Sequence, residues 1–301
     1  MTVKALVAGH LVLDTITTEG YSTESLGGPP TYMGFLLRRL GFDVTLATSI
    51  GYDFGDERLH KILESGIHFL NPPVTESPTT RFEITFLWDR RVLRLLSLCD
   101  GVPPPRTGIP GYDIVLVNPV AGEIALQSLP RYRAISKFIY LDPQGFLRRF
   151  DKDGMTLVDS PELRERLRNV DATKVDIDEG KVLTGSEDPL EIGTALSRLG
   201  VKESLVTTGG EGTYLRAGGE LFFLKPPSVR PFDGVGAGDL LGAGYAAARM
   251  DKDLPTSLAF AVACASSKID QPALGKIPDA RSVERTASEL RPQVRKLEGL
   301  G

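Results

Sequence analysis

The chain of 301 residues has only two cysteines, three histidines and one tryptophan. Cys99 and Cys264 lie far apart, without metal-type spacing, and read as small buried apolar residues of a protein kept in a reducing, cytoplasmic setting. His10, His60 and His68 have no Asp, Glu or Cys at ligand spacing, so a zinc centre or a histidine-based triad lacks support and acid–base chemistry falls to a carboxylate. No run approaches 18 apolar residues, and Met1 is followed by strand-like "TVKALVAG". Neither a membrane span nor a secretory signal is expected. The formal charge of −4 supplies no basic face for nucleic acid. Two nucleotide loops are missing as well. No Gly-Lys-Ser/Thr occurs, which excludes a Walker loop, and the G-x-G-x-x-G template fails at Asp239 when begun at Gly234 and at Leu241 when begun at Gly236.

What remains is an alternation of strands and helices long enough for one large α/β domain over residues 1–301. "VKALVAG", "DVTLATSIG", "YDIVLVNP", "KFIYLDP", "KVDI" and "SLVTTGG" are apolar runs closed by turn residues, the pattern of strands buried on both faces of a parallel sheet. "PPTYMGFLLRRLG", "DERLHKILESG", "SPELRERLRNV" and "DPLEIGTALSRLG" are helical, as are 239–250, "PTSLAFAVACASSKI" and "SVERTASELRPQVRKLEG". Such alternation predicts functional loops at the strand C-termini. "TTRFEITFLWDRRVLRLLSLCDG" departs from it, with two strands around a polar turn at Asp89–Arg91. It predicts an added small sheet, partnered by Thr15 to Ser25, giving a lid over about 15–27 and 79–101 or else a plain edge extension.

The most unusual stretch is "DGVGAGD", residues 233–239, ahead of an apolar helix. Glycines at alternate positions cost about 1 kcal/mol each in a helix, so they predict a loop that something approaches closely. The N–H groups of Gly236, Ala237 and Gly238 at a helix N-terminus suit an anion, and Asp239 in the same place would repel one. Both fit one reaction if the N–H groups hold charge on a transferred phosphoryl group while Asp239 takes the proton of the attacking hydroxyl. Asp239 as a plain helix N-cap is the structural alternative.

"DGVGAGD" resembles the D-T-x-G-A-G-D signature of the ribokinase-like (PfkB) carbohydrate kinase family, and five further stretches keep the family's order: "GHLVLD", "LGGPPTYMGFLLRRLG", "IGYDFGD", "KVDIDEGKVLTG" and "VTTGGEG". The resemblance implies a three-layer α/β sandwich with a mostly parallel sheet and a small β lid. ATP and Mg²⁺ would be co-substrates in the phosphorylation of a sugar or polyol hydroxyl. By matched position Asp239 would be the catalytic base and Gly236, Ala237 and Gly238 the anion hole. Asp14, Gly27 and Gly28 would line the substrate site. Asp176 and Glu179 occupy the N-x-x-E positions, with Glu179 holding magnesium through water. Thr207, Gly209 and Gly212 would follow the ATP phosphates and ribose.

Departures from the family pattern narrow the acceptor. Gly234 replaces the signature Thr, and Asp176 the metal-side Asn. Val12 and Tyr32 stand where ribokinases proper carry sugar-binding Asn residues, so ribose is disfavoured. Asp142, Gln144 and Arg148 in "YLDPQGFLRRF" look like the matching segment of archaeal sugar and inositol kinases of the family, although a capped turn with a solvated Arg accounts for them equally. Phe86 and Trp88 either stack on a ring or fill the lid, and "LAFAVACASS" either walls an adenine pocket or simply packs. A sugar or cyclic polyol such as inositol is the expected acceptor. A nucleoside kinase, a non-catalytic sensor and, remotely, a dinucleotide-dependent oxidoreductase are the alternatives. Asp233 is a candidate nucleotide-side residue, and a monovalent cation near it and "QPALGKIP" is a further expectation. So is homodimerisation through the lid edge.

Overall fold

The computed structural model describes residues 2–18, 21–71, 73–87, 90–152, 154–227, 234–269 and 277–298. Asp233, Trp88, the tip of the lid hairpin and most of "QPALGKIP" lie outside them. The large sheet has ten strands in the order Arg295–Leu297, Glu220–Leu224, Thr213–Ala217, Glu203–Thr207, Ala172–Asp176, Ser136–Leu141, Tyr112–Val117, Lys4–Ala8, Asp43–Ala47 and His68–Phe69. From Glu203–Thr207 onward every neighbouring pair is parallel.

Strand alternation makes this sheet the middle of three layers. Ala5, Val7, Ile114 and Leu116 face a core shared with the helices Pro29–Arg39, Ala237–Ala248, Leu254–Ile269 and Ala280–Leu290. Leu6, Ala8, Val115 and Val117 face a second core shared with Leu129–Ala134, Pro161–Arg166 and Pro189–Arg198. Because both faces are covered, the strands read as unbroken apolar runs.

One stretch differs from the sequence reading, and a second had no reading there. The final helix stops at Leu290, because Pro292 lacks the N–H that continued helix requires; Arg295–Leu297 then pairs antiparallel with Glu220–Leu224. "TYLRAGGELFFL" forms an antiparallel hairpin whose Gly218 and Gly219 have φ of 57° and 84°, the angles its two-residue turn demands.

A separate four-stranded sheet runs Tyr21–Gly27, Val12–Thr18, Arg81–Leu87, Arg90–Ser97. Val12–Thr18 follows closely on Lys4–Ala8, so one chain segment passes from the large sheet into the small one. Asp53 of "IGYDFGD" fixes the small sheet's start by accepting from Thr79 N at 2.7 Å and pairing with Arg81 Nη2 at 3.1 Å.

Candidate active site

Asp176 and Thr207 pair at the ends of two parallel strands, Leu141 ends the next strand level with Thr173, and a wide cleft opens at this edge. Asp176 closes its strand and caps the next helix, Ile177–Thr184. Its Oδ1 accepts from Glu179 N at 2.8 Å while Glu179 Oε2 accepts from Asp176 N at 3.0 Å, a reciprocal capping box. Both residues line the cleft.

The cleft has a volume of about 940 Å³. Among the described residues, seven acidic residues line it, Asp142, Asp176, Asp178, Glu179, Glu187, Glu211 and Asp239, against two cations, Arg148 and Lys174. Lys174 was not singled out in the sequence; its place two residues before Asp176, on the same strand, is the signal that was passed over. It is buried, with Nζ 2.8 Å from Asp142 Oδ2 and 4.0 Å from Glu179 Oε2. Burial opposes its charge, but Asp142, Glu179 and Asp176 outweigh that and raise its pKa. Burial also pushes the Glu179 carboxyl up to about 7, with Asp142 and Asp176 adding to the shift and Lys174 opposing it.

The glycine loop borders this cleft. The helix begins at Ala237, not after Asp239, so Asp239 sits in its first turn. Gly236 is the N-cap with φ of 82°, and a Cβ there would lie 2.6 Å from the Tyr32 ring, so geometry and space both require glycine. The Ala237 N–H donates to Gly234 O at 3.3 Å, whereas helix geometry leaves the Gly236 and Gly238 N–H groups without a carbonyl of the helix to bond. Gly238 adjoins Lys174, whose Nζ would lie 3.4 Å from a Cβ at that position.

A second, smaller cavity of about 90 Å³ lies between the glycine loop and the small sheet. Asp14, Gly28, Gln144, Arg148 and Asp239 line it with an apolar wall that includes Tyr32, Phe82, Ile84 and Leu93. Gly27 supports it indirectly, since a Cβ there would stand 1.9 Å from Asp14 Oδ2. Gln144, Arg148, Gly236 and Asp239 line both spaces, so the cavity and the cleft meet at these four residues.

The other sequence candidates divide. Thr207 and Gly209 line the cleft, while Gly212 packs against Phe223, 2.3 Å from where its Cβ would be. Asp142 lines the cleft and not the small cavity, because Lys174 and the Gln144 N–H, at 3.2 Å, hold its two oxygens. Phe86 packs against the core and is absent from both linings; Phe82 takes the wall position instead. "LAFAVACASS" is buried core and borders neither space among the described residues. His10 is fully buried between Thr80 Oγ1 at 2.7 Å and Asp100 O at 2.9 Å, a structural role.

Known proteins supply the last finding. Residues 150–280 match the pfkB family carbohydrate kinase pattern. Inositol 3-kinase of Oryza sativa subsp. japonica is 28% identical over 81% of this chain, which spans 62% of that enzyme's length. A pyrophosphate-dependent kinase in the ribokinase family, solved with a pyrophosphate analog and myo-inositol, is similar over 93% of this chain and 99% of its own, at 23% identity and a TM-score of 0.78. Ribokinase of Arabidopsis thaliana, solved with ribose and ATP, is similar over 95% and 99%, at 21% identity and a TM-score of 0.72. Residues 150–280 thus resemble the pfkB family carbohydrate kinases, and the chain has a ribokinase-like fold.

Proposed function

We propose that this protein is a kinase that moves the terminal phosphoryl group of ATP to a hydroxyl of a small cyclic polyol such as inositol. The observation that carries the reading is the meeting of the two spaces at Gln144, Arg148, Gly236 and Asp239. The cleft takes the donor and the cavity the acceptor. Phosphoryl transfer asks chiefly for positioning and charge stabilisation, and a shared wall supplies both.

Asp239 receives the proton of the acceptor hydroxyl as its oxygen attacks phosphorus. The Gly236 and Gly238 N–H groups, at the positive end of the helix, face the charge on the transferred group. Asp14 and Gln144 hold the other hydroxyls, while the apolar wall receives the ring's C–H face. The small sheet shields this chemistry from water as a lid.

Among the described residues, seven carboxylates against two cations line a cleft that favours a polyphosphate entering with a divalent cation. Glu179 and Asp176 are the residues that would hold magnesium, largely through water, since no three carboxylates among the described residues converge as a ligand set. Bound there, the ion would neutralise donor phosphate charge. The cavity's small volume favours a single polyol ring over a nucleoside.

The relatives leave two donors to separate, because one structural neighbour is described as pyrophosphate-dependent and another as an ATP complex. The test measures turnover with magnesium and either ATP or pyrophosphate against sugars, inositols and nucleosides. Turnover of inositol or a sugar with ATP supports the reading. Pyrophosphate-only turnover corrects the donor, nucleoside-only turnover replaces the acceptor, and binding without turnover removes the enzyme.

A further inference from the structure

We propose that Arg148 is a catalytic residue, whose guanidinium binds the phosphoryl group in transfer rather than a hydroxyl of the acceptor. The inference rests on the kinase reading above and concerns the same junction.

Among the described lining residues, Arg148 is the one cation common to cleft and cavity. A group on both walls stands where the phosphoryl group must pass. Lys174, the other cation of the cleft, is already committed to Asp142 at 2.8 Å and lies 4.0 Å from Glu179. Arg148 has no such commitment. Its Nε is buried and has no hydrogen-bond partner among the described residues, and the guanidinium forms no ion pair with them. A buried N–H without an acceptor is destabilising. An anionic oxygen arriving with the ligand would relieve that cost, and a guanidinium meets phosphate oxygens through two N–H groups at once.

The chain around Arg148 is built to hold it. It ends the short helix Gln144–Leu147 and begins the strand Arg148–Asp151. Gly145 N donates to Pro119 O at 3.0 Å, and a Cβ at Gly145 would stand 2.3 Å from Pro119 C, so glycine lets this segment press onto the neighbouring loop. Phe150, two residues on, meets Phe82 of the small sheet with ring centroids 5.5 Å apart. Phe82 itself lines the cavity. Arg148 is thus tied to the element that covers the acceptor.

The step balances without a further reactant. The acceptor oxygen forms a bond to the terminal phosphorus, and the bond from phosphorus to the bridging oxygen breaks. Its electron pair leaves on the departing phosphate, and the hydroxyl proton goes to Asp239. Arg148 donates to the non-bridging oxygens as their charge shifts.

The test compares wild type with Arg148→Met, Arg148→Lys and Arg148→Ala, using magnesium with ATP or pyrophosphate and myo-inositol or whichever acceptor is turned over. The methionine variant is expected to lose about 10²–10³-fold in kcat with acceptor KM within threefold. Lysine should restore only part of the loss, and added guanidinium should rescue the alanine variant. A KM for acceptor that rises tenfold with kcat preserved would overturn the assignment and make Arg148 a polyol ligand. Unchanged kinetics would overturn it too. A folded wild type silent with every acceptor refutes the kinase reading separately. In that event magnesium pyrophosphate binding by calorimetry still decides: a loss of about tenfold in Arg148→Met keeps the phosphate contact, and equal affinity removes it.

Discussion

Replacing Gly27 with alanine isolates one contact. Gly27 does not have a positive φ, so alanine meets no backbone strain there. The obstacle is steric: the added Cβ would lie 1.9 Å from Asp14 Oδ2 and 2.8 Å from its Cγ. Ordinary contact begins at 3.4 Å, so the carboxylate must withdraw by about 1.5 Å. Asp14 is 4% exposed and borders the cavity, so the open way for its carboxylate is into the acceptor space. A displacement near 1 Å at a reacting site can cost about 10²-fold, so kcat/KM for the acceptor should fall about 30- to 300-fold. Donor KM should stay within twofold, because neither residue lines the larger cleft. Steady-state kinetics with each substrate varied gives both numbers, and thermal unfolding shows whether the fold has suffered. Gly27→Ala and Asp14→Asn should be strongly non-additive, since both act through one carboxylate. Wild-type kinetics for Gly27→Ala, or additive losses in the double variant, would refute the reasoning.

Other expectations follow from the same geometry. Asp239→Asn should lower kcat by about 10²–10⁴-fold while donor affinity, measured by calorimetry, holds. Lys174→Met strands the Asp142 and Glu179 carboxylates in a buried site and should cost about 3 kcal/mol in denaturant unfolding, most of it recovered by adding Asp142→Asn. Asp171 accepts from Lys202 Nζ at 2.7 Å and Ile139 N at 2.9 Å, and also pairs with Arg133. Burial opposes its charge, but these partners prevail and hold the carboxyl below its usual range. A folded pKa below the unfolded one stabilises above the unfolded value and loses that effect as pH falls through the folded one. Wild type should therefore exceed Asp171→Asn in stability at pH 7, with the difference fading below about pH 4.

Periodicity and punctuation made the parallel half of the fold legible. "YDIVLVNP" and "KFIYLDP" lie where their apolar runs put them, because a strand buried on both faces has no polar position to confuse the pattern. The antiparallel end of the large sheet was harder to read. Arg295–Leu297 is short, exposed and charged, so nothing apolar marks it, and only its pairing with Glu220–Leu224 makes it a strand. At the site, glycine spacing pointed to the loop, the family resemblance pointed to Asp14, and residue types with that resemblance pointed to Gln144 and Arg148; the three line one cavity. What sequence could not show was how side chains were already committed. Asp142 is chemically a good polyol ligand, yet Lys174 occupies it, a contact across 32 residues that no local pattern encodes.

Tyr32 shows how one departure from the family pattern rearranges a site. It stands where an amide would hold a sugar hydroxyl, and it is 1% exposed. Its ring fills the space beside Gly236, so a single side chain is wall to the small cavity and backing to the glycine loop. Exchanging an amide for a tyrosine removes the amide's own donor and acceptor and sets a ring face beside Gly236. Val12 stands at the second missing amide, and it too lines the cavity. On the proposed reading, the acceptor then meets polar groups from Asp14, Gln144 and Asp239 and apolar surface from Val12, Tyr32 and Phe82. A cyclic polyol offers that same division, with hydroxyls around its rim and C–H bonds on its faces. Ribose asks for the amides that are missing. On that reading, the substitutions that weaken the match to ribokinases proper favour a polyhydroxylated six-membered ring over ribose, since both put apolar surface on the same cavity wall.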